Sequence, residues 1–156
     1  MCCKKDEVTT KVFKNLTSKI IGWKVYSIGD GEAPFLYSNI WQGSKGGDVN
    51  NAGVIESDWA EYHESREDYV NHGIHVYLDK KDAVYFCSYR VIVQVEIDPE
   101  DVLAVGAYSM NDSPHKEISY FCDFYKKTIP ITLVAKKVTI TQKEFDKATK
   151  NKRRNK

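Results

Sequence analysis

The sequence predicts an α+β fold, a mostly antiparallel split sheet with a few short helices. In residues 90–97, every odd-numbered position is a valine or isoleucine, and the even-numbered positions are mostly polar. This period of two is typical of a half-buried strand. Several further short β-branched segments are bounded by turn signals. Helical spacing is confined to a few short segments, so a doubly wound nucleotide fold is not expected.

The N-terminal third predicts one helix and one strand. Residues 23–27 are aromatic and β-branched and predict a strand, while residues 29–53 hold six of the nine glycines and predict a long loop or several short strands. The first twenty residues predict a short amphipathic helix, because their apolar side chains recur at helical spacing at Val8, Val12, Phe13, Leu16 and Ile20.

The middle of the chain alternates predicted helices and strands. Ser57 is a suitable N-cap for a helix over residues 57–70, and residues 74–78 return to strand character. Asp79 is placed to cap a second helix over residues 80–87. The alternating strand over residues 90–97 follows it.

The C-terminal third predicts three more strands and a last helix. The strands fall at residues 102–108, 118–125 and 129–138. The helix opens at Thr141, where Thr-Gln-Lys-Glu matches a capping box. No linker or internal repeat divides the chain, so residues 1–150 are expected to form a single domain and residues 151–156 a basic tail.

Composition and charge exclude several classes of function. The 156 residues carry 23 Lys and Arg against 22 Asp and Glu, which gives no overall attraction to nucleic acid or to a membrane. No apolar run reaches the roughly 18–20 residues that cross a bilayer. The cysteine spacing fits no zinc site, so no metal is expected. Since no secretory signal is evident, a reducing, cytoplasmic location is expected. Nucleic acid is expected to bind at most weakly, through the basic tail.

Four segments together resemble the poly(ADP-ribose) polymerase branch of the ADP-ribosyltransferase superfamily. Residues 71–87 run from a Gly-Ile-His-Val-Tyr strand into a short helix that ends near an aromatic residue, and residues 90–97 supply the β-branched strand that follows. Residues 23–27 resemble the first strand of that family, and residues 117–121 resemble the strand that begins with its catalytic glutamate. The chain also resembles short phage-encoded proteins of unknown function.

The resemblance implies a set of NAD-binding residues. Tyr26 stands where the family usually has a histidine that bonds the adenosine ribose, His75 replaces a tyrosine that packs on the nicotinamide ring, and Phe86 is a second stacking aromatic. Glu117 matches the glutamate that orients ribose and acceptor, and a carboxylate there would stabilise the oxocarbenium character of the cleaved bond. The Arg90 guanidinium could bind the diphosphate as a bidentate fork. Each residue also has a simpler interpretation as a packing or solvated side chain.

Two hypotheses for function follow. In the first, the chain binds NAD and transfers ADP-ribose to a host protein in the host cytoplasm. In the second, a catalytically inactive phage or viral protein inhibits a host factor by occlusion, using its acidic residues 56–68 or its basic C-terminal third. The first hypothesis requires Tyr26, His75 and Glu117 to face a common cleft, whereas the second does not.

Overall fold

A sheet of antiparallel strands and three α-helices make up the part of the chain that the computed structural model describes, which is residues 2–37, 48–57, 69–70, 73–85, 90–109 and 129–153. The helices are α1 (Glu7–Lys14), α2 (Lys80–Tyr85) and α3 (Gln142–Arg153). The strands are β1 (Cys2–Lys5), β2 (Ile20–Gly29), β3 (Phe35–Tyr37), β4 (Asp48–Val49), β5 (Gly53–Glu56), β6 (Tyr69–Val70), β7 (Ile74–Tyr77), β8 (Val91–Ile97), β9 (Val102–Ser109), β10 (Ile131–Ala135) and β11 (Lys137–Ile140).

The strands form one hydrogen-bonded path in the order β5-β11-β8-β2-β7-β10-β9-β1-β6, and β3 joins β2 to β4 at the side. Their pairings are antiparallel, so the predicted α+β class with a mostly antiparallel sheet is confirmed. The longest ladder joins β2 to β8, from Ile20 opposite Ile97 to Tyr26 opposite Val91. By contrast, β2 and β7 pair at one register position, Trp23 opposite Tyr77. The hydrogen-bonded junction between these two strands is therefore narrow, because it spans one register position.

The side of the sheet that carries the largest core cluster is called here the main face. Its buried side chains come from most strands and from α3, and Phe13 of α1 packs against them. The alternation on β8 is as predicted, with the side chains of Val93, Val95 and Ile97 buried in this cluster. The opposite side, the second face, carries two smaller clusters, one of which includes Ala83 of α2. Helices thus cover parts of both faces.

Capping side chains position the three helices, and the caps predicted at Asp79 and Thr141 are confirmed. The Asp6 carboxylate accepts a hydrogen bond from the Thr9 N–H at the start of α1, and the Asp79 carboxylate accepts one from the Lys81 N–H at the start of α2. At α3, the Thr141 hydroxyl accepts one from the Glu144 N–H. None of the helices in the described residues is long and apolar enough to span a membrane.

Several predicted boundaries differ from the structure. The helix predicted within residues 1–20 is confined to residues 7–14, because residues 2–5 pair with β9 and Ile20 begins β2. The single strand predicted over residues 129–138 is two strands that separate at Lys136, whose N–H donates to the Asp101 carbonyl. Because α3 continues to Arg153, the predicted tail begins within a helix.

The predicted helix over residues 57–70 and the predicted strand over residues 118–125 fall wholly or mostly outside the described residues. At the edges of the former, the Ser57 N–H donates to the Lys136 carbonyl, and Tyr69–Val70 is the strand β6 rather than a helix end. The reason is pairing over a long distance in sequence, since Val70 lies opposite Cys3 of β1.

Candidate functional site

Three of the five residues predicted to form the site lie in the described part of the chain. Tyr26 lies on β2, His75 lies on β7, and Arg90 precedes β8. Phe86 and Glu117 lie outside the described residues. The described geometry of the candidate site is therefore that of Tyr26, His75 and Arg90.

Tyr26 is a core residue of the main face. Its side chain is buried within the largest cluster, and burial raises the pKa of its hydroxyl above the ordinary value. The amine of Lys24 lies 5.5 Å from the centre of the Tyr26 ring, within the range of a cation–π contact. The ring of Tyr26 is therefore enclosed by protein on the main face.

His75 is buried with both of its ring nitrogens close to backbone carbonyls. Nδ1 lies 3.2 Å from the Gly73 oxygen, and Nε2 lies 3.1 Å from the Val70 oxygen. Burial, reinforced by the charge of Lys24, lowers the His75 pKa to about 3, so the ring is neutral near pH 7. Because a neutral imidazole carries one N–H, it donates to one of these two carbonyls at a time.

The register between β2 and β7 sets the directions of Tyr26 and His75. Trp23 lies opposite Tyr77, and paired residues of antiparallel strands point to the same face. Since side chains alternate along a strand, His75 shares the second face with Tyr77, whereas Tyr26 points to the main face. In this structure Tyr26 and His75 project from opposite faces of the sheet, and the structure does not bring their rings together.

Lys24 contacts both Tyr26 and His75. The sequence did not single it out as a site residue. Its side chain is buried, and its amine donates a hydrogen bond of 3.3 Å to the backbone carbonyl of His75. Desolvation lowers its pKa to about 7. One signal was present in the sequence, because Lys24 is a charged residue within an apolar predicted strand and lies two positions before Tyr26.

A cluster of aromatic side chains lies on the second face near Arg90. The rings of Tyr77 and Tyr108 are stacked with their centres 6.1 Å apart, and their hydroxyl groups share a hydrogen bond. Trp23 packs in the same cluster, half-buried. Burial raises the pKa of Tyr77, the Asp82 carboxylate raises it further, and the exposed Arg90 guanidinium lowers it. Arg90 therefore lies within electrostatic reach of the Tyr77 hydroxyl.

One group of carboxylates among the described residues is close enough to share a metal ion. Asp98, Glu100 and Asp101 each place an oxygen within 4.8 Å of the others at the 3₁₀ turn before β9. Desolvation raises the pKa of Asp101, an effect that Lys137 opposes and that the other two carboxylates reinforce. Asp98 and Glu100 are exposed, and acidic turns of this kind are common at protein surfaces without a metal.

The resemblance to ADP-ribosyltransferases thus stands on the sequence segments alone. Models of known protein families, curated proteins and solved structures were all compared with this chain, and none of them matches it.

Proposed function

We propose that this chain is a non-catalytic interaction protein that binds and occludes a host factor in the host cytoplasm. The observation that carries this proposal is the position of Tyr26 and His75, which are both buried and point to opposite faces of the sheet. A dinucleotide site that uses both rings needs them to line one groove. Interaction through the protein surface has no such requirement.

Opening the sheet to expose these rings would be unfavourable. Turning the His75 ring outward would leave the carbonyl that accepts its N–H, that of Gly73 or of Val70, without this hydrogen bond inside the protein. Each buried polar group that loses its partner costs about 1–3 kcal/mol. Exposing Tyr26 would also remove a large aromatic side chain from the main core. Both residues are therefore better explained as structural than as cofactor contacts in the free protein.

The C-terminal third offers a basic surface for a partner. Five of its lysines are exposed, and such residues attract acidic protein surfaces and accelerate association. They are Lys136, Lys137, Lys143, Lys147 and Lys150. Glu56, at the start of the acidic segment, is exposed as well and forms a 3.5 Å ion pair with Lys137. Acidic and basic surface groups thus meet at the β5–β11 edge of the described sheet.

NAD binding followed by ADP-ribose transfer is the second candidate, together with an ADP-ribosyltransferase-like fold. It is favoured by Arg90, which is exposed and lies within electrostatic reach of Tyr77. A guanidinium beside aromatic rings is suited to bind a diphosphate. In this proposal Glu117 stabilises the oxocarbenium charge that develops when nicotinamide leaves, and Phe86 stacks on the ring.

Titration with NAD distinguishes the two candidates. Amide resonances of the ¹⁵N-labelled chain are followed as NAD is raised to millimolar concentration, with Arg90→Ala as the test variant and the exposed Lys81→Ala as the control. We expect no saturable shifts in any of the three proteins. Saturable shifts that Arg90→Ala abolishes and Lys81→Ala retains would establish NAD binding and contradict the interaction proposal.

A second assay tests catalysis directly. The chain is incubated with labelled NAD and host lysate, and wild type is compared with Glu117→Gln. We expect equal, background labelling by both proteins. Labelling by wild type that the variant loses would assign catalysis to Glu117 and would overturn the non-catalytic proposal.

A further inference from the structure

Helix α1 carries a second apolar side that does not face the core. Val8, Val12 and Leu16 follow one another at intervals of four residues, so they form a continuous stripe along α1 and the turn after it, called here the α1 stripe. Their exposed fractions are 75%, 57% and 42%. The inward side of the helix is formed instead by Thr10, which is buried, and by Phe13, which packs against the main core.

The helix is held rigidly at both ends and in the middle. Asp6 caps its start, and at its end the Asn15 side-chain amide donates to the Lys11 carbonyl at 2.8 Å. In the middle, the Thr10 hydroxyl accepts from the Val105 N–H at 2.9 Å and donates to the Val105 carbonyl at 3.3 Å. A rigid surface binds a partner with a smaller loss of conformational entropy than a flexible one. The α1 stripe thus lies on a helix that hydrogen bonds anchor to β9.

Charge next to the α1 stripe indicates which partner it fits. Lys11 is exposed and lies three residues after Val8, so it is a neighbour of Val8 on the helix surface. The two acids at the start of the helix are engaged locally, since Asp6 caps the helix and Glu7 forms a 3.1 Å ion pair with Lys5. The border of the stripe is therefore positive beside Val8, and it complements a surface that combines aliphatic side chains with carboxylates.

We propose that the α1 stripe is the docking site for a helix of a partner protein that presents aliphatic side chains flanked by Asp or Glu. The inference rests on the proposed interaction function and specifies its surface. Helices that pack side by side bury aliphatic residues at intervals of three and four, and the α1 stripe has that spacing. Three aliphatic side chains without an aromatic residue form a small surface for a lipid bilayer, so a protein partner is the better match.

The test uses the full chain and a synthetic probe. The probe is a fluorescein-labelled 18-residue peptide with leucines at helical spacing and glutamates beside them, and a second peptide has lysines in place of the glutamates. The test variant Val8→Thr/Val12→Thr keeps the shape of the side chains and adds no charge. Val54→Thr is the matched control, because Val54 on β5 is exposed to 63%. Thermal unfolding shows whether each variant keeps the stability of wild type.

We expect the acidic peptide to bind wild type and Val54→Thr equally, and to bind Val8→Thr/Val12→Thr at least tenfold more weakly. Lys11→Glu should weaken it severalfold and improve binding of the basic peptide. Equal affinity of wild type and Val8→Thr/Val12→Thr for the acidic peptide would overturn the inference. Self-association of the chain that only Val8→Thr/Val12→Thr abolishes would also overturn it. Binding to phosphatidylserine vesicles that only this variant abolishes would overturn it as well.

Failure of this inference is distinguishable from failure of the proposed function. If host partners are captured equally by wild type and by Val8→Thr/Val12→Thr, the interaction function stands and the α1 stripe is not its surface. If NAD binds saturably and Arg90→Ala abolishes that binding, the proposed function fails whatever the peptide assay gives.

Discussion

The amine of Lys24 donates a hydrogen bond to the backbone carbonyl of His75 across the narrow junction between β2 and β7. These strands pair at Trp23 and Tyr77, and the Lys24 amine supplies a donor to a β7 carbonyl beyond that point. A lysine at this position thus contributes to joining the two parts of the sheet. Its burial also makes stability depend on pH.

We expect the free energy of unfolding to rise with pH between about 7 and 10 because of Lys24. Its folded pKa is about 7, below its ordinary value of 10.5, so in this window the unfolded chain binds more protons than the folded one. The contribution is at most about 1.4 kcal/mol per pH unit. Urea unfolding of wild type and Lys24→Met between pH 7 and 9.5 measures it, with the exposed Lys14→Met as the control. A slope that Lys24→Met leaves unchanged would contradict the prediction.

We expect the His75 ring to remain neutral at every pH above about 4.5, because burial holds its pKa near 3. The unfolded chain takes up this proton near pH 6.5, so His75 lowers stability as the pH falls from 6.5 towards 3. NMR titration of the imidazole signals checks the charge state, and His75→Gln identifies the signal of His75. A midpoint between pH 5.5 and 7.5 for that signal would show that the ring is not enclosed as described.

Gly73→Ala should destabilise the fold more than Gly53→Ala. Both glycines have positive φ, +106° and +133°, which is unfavourable for alanine. At Gly73 the added Cβ would also lie 2.6 Å from Cγ1 of Val134, while at Gly53 it would have no neighbour within 4 Å. We expect a loss of about 2–5 kcal/mol for Gly73→Ala and about 1–2 kcal/mol for Gly53→Ala. Urea unfolding of both variants checks the difference, and equal losses would refute the steric contribution.

Thr10→Val should loosen α1 from β9. The substitution keeps the side-chain shape but removes the hydroxyl that bonds the N–H and the carbonyl of Val105. We expect a loss of about 1–3 kcal/mol in the free energy of unfolding. Thr17→Val is the control, because Thr17 is exposed beyond the end of α1. Hydrogen exchange of the α1 amides should accelerate in Thr10→Val alone.

Local sequence patterns, which involve residues close together in the chain, predict much of this fold. The alternation on β8 and the caps at Asp79 and Thr141 are local, and the structure confirms them. The sequence could not show that residues 2–5 form a strand, because that strand exists only through pairing with β9 and β6. The same limit explains the misplaced end of the helix predicted to reach Val70.

The sequence by itself determined the alternating strand β8 and the starts of α2 and α3, and it indicated Tyr26, His75 and Arg90 as candidate site residues. Only the tertiary structure decided the face to which each side chain points. The reason is that the direction of a strand residue depends on its register with a partner far along the chain, here Trp23 with Tyr77. In the folded sheet the side chain of Lys24 is buried as well. In the same way, the packing of Thr10 and Phe13 leaves the α1 stripe exposed to solvent.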